Sequence, residues 1–285
     1  MTDLPGITGV LGGGRMGAGI AHAFVVSGAS VRIVERDDEQ VAAAYDRVTK
    51  SLAASVSRGT VAESFETLIA RIELGTDDAL FDECELVIEA VPEDTGLKIA
   101  SLVRIEDRVG SETPIASNTS SMSIDALAAA LRFPQRFLGL HFFNPVPASE
   151  LVEIVVGTST DVAVVSAAQD WVGALGKTPV TVKDSPGFAS SRLGLVIGLE
   201  AIRMLEEGVA SAEDIDAAMV LGYKFPVGPL RLTDIVGLDV RLAIAEYLHA
   251  RLGERFAPPA LLRTMVSEGH LGRKSGRGFF EWDDE

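Results

Sequence analysis

A glycine-rich turn near the N-terminus is the first group of residues whose types and spacing indicate chemistry. It reads Gly12-Gly13-Gly14-Arg15-Met16-Gly17, follows the apolar run Ile7–Leu11 and opens a helical pattern. Such glycines permit a tight turn, close approach of a pyrophosphate to the backbone, and close packing of the helix on the strand. The start of the helix then offers N–H groups to negative charge. We therefore expect a dinucleotide here rather than glycines that serve packing alone. The expected contacts are Gly12, Gly14, Met16 and Gly17.

An acidic residue indicates which dinucleotide binds. Glu35 closes the second apolar run, 18 residues after Gly17, where a carboxylate would meet the adenosine ribose. This carboxylate would accept ribose hydroxyls and repel a 2′-phosphate, so we expect NAD as the cofactor rather than NADP. The neighbouring Arg36 keeps NADP open, because a guanidinium can pair with a phosphate. The alternative for Arg36 is a solvated surface charge.

One histidine is placed for proton transfer. His141 follows the apolar run Phe137–Leu140, so we expect it at the end of a strand. Ligands bind at the carboxyl ends of the strands in open α/β sheets. Oxidation of a secondary alcohol needs a base, and histidine suits this task because its ordinary pKa lies near neutrality.

The elements that must position these residues follow from the apolar pattern. Up to Lys183, short apolar runs alternate with helical patterns, which predicts a mostly parallel sheet covered by helices on both faces. Beyond the Pro186-Gly187 pair the pattern is helical, including a long segment over Leu230–Leu252. We predict an α/β chain with a Rossmann-like, doubly wound domain over residues 1–185 and a smaller all-α domain over residues 186–285.

Composition excludes several classes of protein. The chain has 285 residues, 25 of them basic and 41 acidic, for a net charge of −16, which disfavours binding to nucleic acid. Cys84 is the only cysteine, so no internal disulfide can form. No apolar run is long enough to span a membrane, and the N-terminus lacks the pattern of a signal peptide. His22, His249 and His270 have no metal-ligand spacing. We expect a cytoplasmic protein without a metal site.

Several motifs together resemble the 3-hydroxyacyl-CoA dehydrogenase family. They are the glycine turn, Ser117-Asn118-Thr119-Ser120-Ser121, His141-Phe142-Phe143-Asn144-Pro145-Val146-Pro147 with Glu153, Asp184-Ser185-Pro186-Gly187-Phe188, and Gly276-Arg277-Gly278-Phe279-Phe280. The resemblance covers nearly the whole chain. It is greatest to stand-alone, short-chain members, often called 3-hydroxybutyryl-CoA dehydrogenases, because no hydratase domain is fused to it.

The resemblance implies roles for individual residues. His141 would be the catalytic base, Glu153 would orient and charge-balance it, and Ser117 would hydrogen-bond the reacting substrate oxygen. Asn144 would support the local geometry. Glu93 and Lys98 would contact the ribose and nicotinamide side of the cofactor.

The resemblance also implies an acyl-CoA substrate. Ser51 and Arg58 have the spacing of the family's CoA-binding serine and basic residue. An ordinary helix face with an arginine near its end would show the same spacing. Ser191 stands where many members carry an asparagine near the substrate carbonyl, so it would place the acyl portion with fewer hydrogen bonds. The C-terminal domain would form most of a homodimer interface.

Two other functions stay open. The first is a dehydrogenase of a free 3-hydroxy acid of the sugar-acid or carnitine type, which would need no CoA site. The second is a catalytically silent NAD-binding sensor, which would keep the glycine turn without needing His141.

Overall fold

The apolar runs of the first part of the chain form one sheet. The computed structural model describes residues 4–282 and divides into two units, Met1–Ser185 and Pro186–Glu285. Within residues 4–185 the strands are β1 Ile7–Leu11, β2 Ser30–Val34, β3 Ile72–Gly75, β4 Leu86–Glu89, β5 Ile115–Ser117, β6 Phe137–Phe142, β7 Leu151–Val156 and β8 Thr178–Lys183. Their order across the sheet is β3-β2-β1-β4-β5-β6-β7-β8. The first six strands are parallel and have the order of dinucleotide-binding sheets.

The end of the sheet departs from the parallel pattern. β7 pairs with β6 in the antiparallel sense, and β8 then pairs with β7 in parallel. The connection from β6 to β7 is short enough to form this antiparallel pair without a crossover helix. Residues on β7 therefore lie directly opposite residues on β6, which places side chains that are distant in sequence side by side.

Helices alternate with the strands in this unit. They are α1 Arg15–Val26, α2 Asp38–Ser57, α3 Phe65–Ile69, α4 Thr95–Glu106, α5 Ile124–Ala128 and α6 Val162–Ala174. Side-chain caps fix four of the starts, those of α2, α3, α4 and α5. At α2, for example, Asp37 accepts a hydrogen bond from the Gln40 N–H, and at α4 Asp94 accepts one from the Leu97 N–H. The strands β1 and β4 are buried along nearly their whole length, so the doubly wound fold expected from the sequence is confirmed.

The second unit is helical, as predicted. Its helices are α7 Ser190–Glu206, α8 Ala212–Ala217, α9 Pro229–Val236, α10 Leu238–Leu252 and α11 Ala260–Ser267. The prediction of one helix over Leu230–Leu252 is wrong. Gly237 has a φ of +103° and separates α9 from α10, because a residue with this backbone angle cannot continue a right-handed helix.

A buried carboxylate ties the C-terminal segment to α9. Asp234 accepts hydrogen bonds from the backbone N–H groups of Phe279 and Phe280 and from the indole N–H of Trp282. A side chain at Gly278 would overlap the Asp234 carboxyl group. The Gly276–Phe280 motif therefore supports the fold of this unit, because its glycine lets the chain approach the carboxylate.

A buried histidine joins α1 and α2. His22 is 4% exposed, and its Nε2 lies 3.0 Å from the hydroxyl oxygen of Ser55. Burial, together with the nearby charges of Lys177 and Arg58, lowers the pKa of His22 from 6.5 to about 4. His22 is therefore neutral in the folded protein at neutral pH and belongs to the packing between the two helices.

This depressed pKa makes the stability of the fold depend on acid pH. The unfolded chain binds a proton at His22 below pH 6.5, whereas the folded chain resists it down to about pH 4. The free energy of unfolding should therefore fall as the pH is lowered through this window, by about 2 kcal/mol between pH 7.5 and 5. Urea denaturation of the wild type and of His22→Gln at both pH values measures this contribution. An identical pH dependence in the two proteins would contradict it.

Candidate active site

The glycine turn between β1 and α1 is shaped to receive an anion. Gly12 has a φ of +94°, and a side chain at Gly17 would overlap the carbonyl oxygen of Gly12. Gly14 is the residue that begins α1, no side chain caps the helix there, and no atom lies within 4 Å of the place a Cβ would occupy. The first N–H groups of α1 are therefore approachable by a phosphate.

A cavity of about 690 Å³ opens beside this turn. Its walls come from the carboxyl ends of β1, β2, β4, β5 and β6 and from α4. They include the predicted residues Gly12, Gly14, Met16, Glu35, Glu93, Lys98, His141 and Asn144. The sheet thus brings most of the expected cofactor residues together with the candidate base, as expected where strand order reverses between β1 and β4.

Glu35 is held at the end of β2 by the glycine turn. Its carboxylate accepts hydrogen bonds from the backbone N–H of Gly13, at 2.7 Å, and from the N–H of Arg36. The Arg36 guanidinium pairs with Asp37, and its side chain is 76% exposed. Glu35 therefore presents a fixed negative charge on the cavity wall, whereas Arg36 is engaged by a neighbouring carboxylate.

His141 and Glu153 form a buried pair. They are directly opposite each other in the register of β6 and β7, and the distance from Nδ1 of His141 to Oε2 of Glu153 is 2.8 Å. Their side chains are 7% and 1% exposed. The ring of His141 also lies against that of Phe143, with 4.3 Å between ring centres. This arrangement engages the Nδ1 side of the imidazole and fixes the orientation of the ring.

A second buried charge pair supports the cavity wall. The Lys98 ammonium lies 2.8 Å from Oε1 of Glu89 and 3.2 Å from Oε2 of Glu93, and it donates to the carbonyl of Val91. Glu89 is fully buried and Lys98 is 1% exposed. Sequence reasoning missed Glu89, although an acidic residue that ends an apolar strand is a visible signal. The ammonium group has oxygen partners on three sides and is held in one position.

The structure places Ser117 behind the cavity wall. This serine is fully buried, its hydroxyl donates to Oε2 of Glu89 at 2.6 Å, and it does not line the cavity. Within the same motif, Ser120 lines the wall, and its N–H and hydroxyl both donate to Oε1 of Glu93. The two serines are three positions apart in the chain, and the sequence alone does not show that Ser117 belongs to the buried strand β5. Asn118, also missed, lines the wall and accepts from the N–H of Phe142.

A second cavity, of about 480 Å³, adjoins α2 and contains the predicted residues Ser51 and Arg58. Three further basic residues line it, namely Arg15, Arg47 and Lys50. Asn144 and Arg15 belong to the walls of both cavities. The basic groups create a local positive region in a chain of net charge −16, which suits an anionic ligand.

The loop that separates the cavities is fixed by a lysine that sequence reasoning did not find. Lys177 donates to the carbonyl oxygens of Val146 and Ser149. Val146 packs against Gly19 of α1, where a side chain would not fit. The segment that follows His141 is therefore held at two carbonyls and against α1.

Residues 4–282 were also searched for a metal site, a reactive thiol and a membrane-spanning helix. No group of three or more His, Cys, Asp or Glu side chains could hold a metal ion there. Burial raises the pKa of the Cys84 thiol to about 12, so this residue is not a nucleophile at neutral pH. None of the described helices is both long and apolar enough to cross a membrane.

Comparison with known families identifies both units. A family model described as 3-hydroxyacyl-CoA dehydrogenase, NAD binding domain, matches residues 7–185, and one described as 3-hydroxyacyl-CoA dehydrogenase, C-terminal domain, matches residues 187–282. The two matches cover nearly the whole chain. They confirm the resemblance found in the sequence.

Individual proteins agree with these matches. A 3-hydroxybutyryl-CoA dehydrogenase of Mycobacterium tuberculosis is 42% identical, over 99% of this chain and 100% of that protein. One of Bradyrhizobium diazoefficiens is 40% identical, over 96% of this chain and 94% of that protein. The crystal structure of (S)-3-hydroxybutyryl-CoA dehydrogenase from Ralstonia eutropha superimposes with a TM-score of 0.94 at 40% identity, covering 98% of this chain and 100% of that one.

The geometry predicts that the Glu89–Lys98 pair is required for the stability of the wall. Lys98→Met leaves the Glu89 carboxylate buried without its cation, which should lower the free energy of unfolding by about 3 kcal/mol. Lys50→Met is the matched control, because the Lys50 side chain is 76% exposed in its pair with Asp46 and should cost less than about 1 kcal/mol. Urea denaturation compares the two variants. Equal losses in the two variants would show that the buried pair has no special role. Adding Glu89→Gln to Lys98→Met should recover part of the stability, because it removes the buried charge that has lost its cation.

Proposed function

Because the chain belongs to the 3-hydroxyacyl-CoA dehydrogenase family, we propose that it interconverts short-chain (S)-3-hydroxyacyl-CoA and 3-ketoacyl-CoA with NAD. The observation that carries the proposal is the His141–Glu153 pair on the wall of the cavity that begins at the glycine turn. The 3-hydroxybutyryl ester is the proposed substrate because the relatives named above act on it.

The residues of the cavity fit the cofactor. Gly14 leaves open space at the start of α1, where the pyrophosphate would lie. Glu35 presents its carboxylate to the ribose hydroxyls, and Glu93 and Lys98 line the wall further along. NAD, when bound, accepts the hydride that leaves C3 of the hydroxyacyl substrate.

The chain's own residues handle the proton. In the oxidative direction, Nε2 of His141 accepts the proton of the C3 hydroxyl, and in reduction it returns that proton to the oxygen. The carboxylate of Glu153, at 2.8 Å from Nδ1, holds the ring orientation and stabilises the imidazolium that forms. Burial strengthens this interaction because little water screens the two charges. General acid–base catalysis of this kind contributes on the order of 100- to 10,000-fold in rate.

Ser120 takes the place proposed from the sequence for Ser117. Its hydroxyl lies on the cavity wall with His141, so it can rotate away from Glu93 and donate its one hydrogen bond to the reacting oxygen of the substrate. Such a bond is strongest when the oxygen carries negative charge, which favours the transition state over the ground state. Asn144 lies on the same wall, and its proposed role is to support the geometry of the loop in which Asn144 itself lies.

The second cavity is the proposed site for the CoA moiety. The phosphates of CoA would pair with the basic residues of this cavity, namely Arg58, Arg15, Arg47 and Lys50. Ser51 would donate a hydrogen bond to the CoA moiety. A free 3-hydroxy acid has no phosphate groups with which these basic residues could pair. The basic wall therefore favours the CoA ester over the free-acid alternative.

We also propose a homodimer formed through the second unit. Several large apolar side chains of this unit are exposed, among them Leu193 at 61%, Leu221 at 69% and Tyr223 at 75%. Exposed apolar groups of this size favour association. A cytoplasmic location stays a prediction from the sequence.

The direct test of the proposed function is the oxidation of NADH in the presence of acetoacetyl-CoA, with free acetoacetate and NADPH as parallel reactions. We expect turnover with the CoA ester and NADH, and little with the other combinations. Turnover of the free acid alone would support the alternative function, a dehydrogenase of a free 3-hydroxy acid. Tight NADH binding without turnover of any ester would support a silent sensor.

The roles proposed for Ser120 and Ser117 lead to different expected effects of their substitution by alanine. Ser120→Ala should lower kcat about 10- to 100-fold by removing one hydrogen bond to a charged oxygen, with no change in stability. Ser117→Ala should leave kcat near the wild-type value and lower the free energy of unfolding by about 1–3 kcal/mol, because the buried Glu89 loses a donor. Steady-state kinetics and urea denaturation of both variants test the assignment. The reverse pattern would return the catalytic role to Ser117.

A further inference from the structure

One arginine belongs to the walls of both cavities of the first unit. Arg15 lines the cavity that begins at the glycine turn and also the basic cavity beside α2. Asn144, the other residue that both walls share, is uncharged. Among the described residues, Arg15 is therefore the one positively charged group that belongs to the proposed sites of both the cofactor and CoA, and each of these ligands carries phosphates.

The position of Arg15 on α1 explains why it belongs to both walls. Arg15, Ala18 and Gly19 are spaced by three and four residues, so they lie on one face of α1, and all three line the second cavity. Side chains of an α-helix lean toward its N-terminus. Because Arg15 is the first residue of α1, its side chain leans toward the glycine turn, where the pyrophosphate of the cofactor would lie. The helix thus directs one guanidinium toward both proposed phosphate sites.

The guanidinium of Arg15 is not engaged by another side chain. Other basic residues of the two walls have acidic partners, since Arg36 pairs with Asp37 and Lys50 pairs with Asp46. In the part of the chain that the structure describes, no ion pair or side-chain hydrogen bond holds Arg15, and its side chain is exposed. Its N–H donors are therefore available to a ligand without the loss of an existing contact.

We propose that Arg15 binds a phosphate of the dinucleotide and a phosphate of CoA at the same time, and that it thereby couples the binding of the two ligands. This inference rests on the proposed function. A guanidinium has five N–H donors in one plane, which is enough for two phosphate groups. The first ligand orders the arginine, so the second ligand binds a side chain that is already ordered. The shared cation also reduces the repulsion between two anions in neighbouring cavities. Both effects make the coupling favourable.

The test measures the Kd of each ligand in the presence of the other by isothermal titration calorimetry. NADH and free CoA are the probes, because free CoA carries the phosphates but no acyl group that could be reduced. We expect saturating CoA to lower the Kd of NADH about 5- to 10-fold in the wild type, which is a usual scale of coupling between two sites. NADH must then lower the Kd of CoA by the same factor, because coupling is reciprocal. Pantetheine, which lacks the phosphates of CoA, should leave the Kd of NADH unchanged.

Variants of Arg15 separate its role from that of the other basic residues. Arg15→Gln should abolish the coupling, so that each ligand binds with the same Kd whether or not the other is present. Arg15→Lys should retain part of the coupling, because an ammonium group is a single point charge. Arg58→Gln is the matched control, since Arg58 is also exposed but lines the second cavity and not the first. This control should raise the Kd of CoA and keep the coupling factor of the wild type.

Independent binding of NADH and CoA by the wild type would overturn the inference, while turnover of acetoacetyl-CoA with NADH would leave the proposed function standing. Coupling that persists in Arg15→Gln would also overturn the inference, because another contact would then transmit the effect. If Arg15→Gln does not fold, Arg15→Lys decides, since an undiminished coupling factor in this variant would contradict the bridging role of the guanidinium. Failure of CoA to bind, together with no oxidation of NADH by any CoA ester, would overturn the proposed function as well.

Discussion

The contact between His141 and Glu153 is the constraint on which the site depends. The two residues meet because β7 returns antiparallel to β6 in a register that sets them directly opposite each other. A slip of one residue would turn Glu153 to the other face of the sheet and leave a buried carboxylate without its partner. The register is fixed from both sides, by the buried apolar residues of the two strands and by the clamp of Lys177 on the loop between them.

Buried charges elsewhere in the chain follow two patterns. Glu89 and Lys98 satisfy each other and fix one wall of the cavity, with Ser117 and the Val91 backbone completing the set of partners. Their interaction resembles that of His141 and Glu153, since each charged group has a partner within hydrogen-bond distance. Arg241 is the contrasting case, a core cation whose Nε has no hydrogen-bond acceptor among the described residues.

The sequence was informative where local spacing determines geometry. The glycine turn, the position of Glu35 and the strand that carries His141 near its end could be predicted because each depends on a few adjacent residues. Ser117 and Ser120 could not be distinguished, because both lie in one motif and only the pairing of β5 with β4 shows which is buried. The break at Gly237 was missed because apolar periodicity continues through it, and the short strand β3 has too few residues for a clear pattern. The burial of Arg241 depends on the packing of α7 and α10, which no local pattern reveals.

The most direct test of this account is a double-mutant cycle on the proton-transfer pair. We would measure kcat for acetoacetyl-CoA reduction in the wild type, His141→Gln, Glu153→Gln and the double variant. If Glu153 acts through His141, Glu153→Gln should lower kcat by on the order of 100-fold in the wild type and have little further effect in the His141→Gln background. Losses that multiply in the double variant would contradict the account, because they would show that the two residues contribute independently.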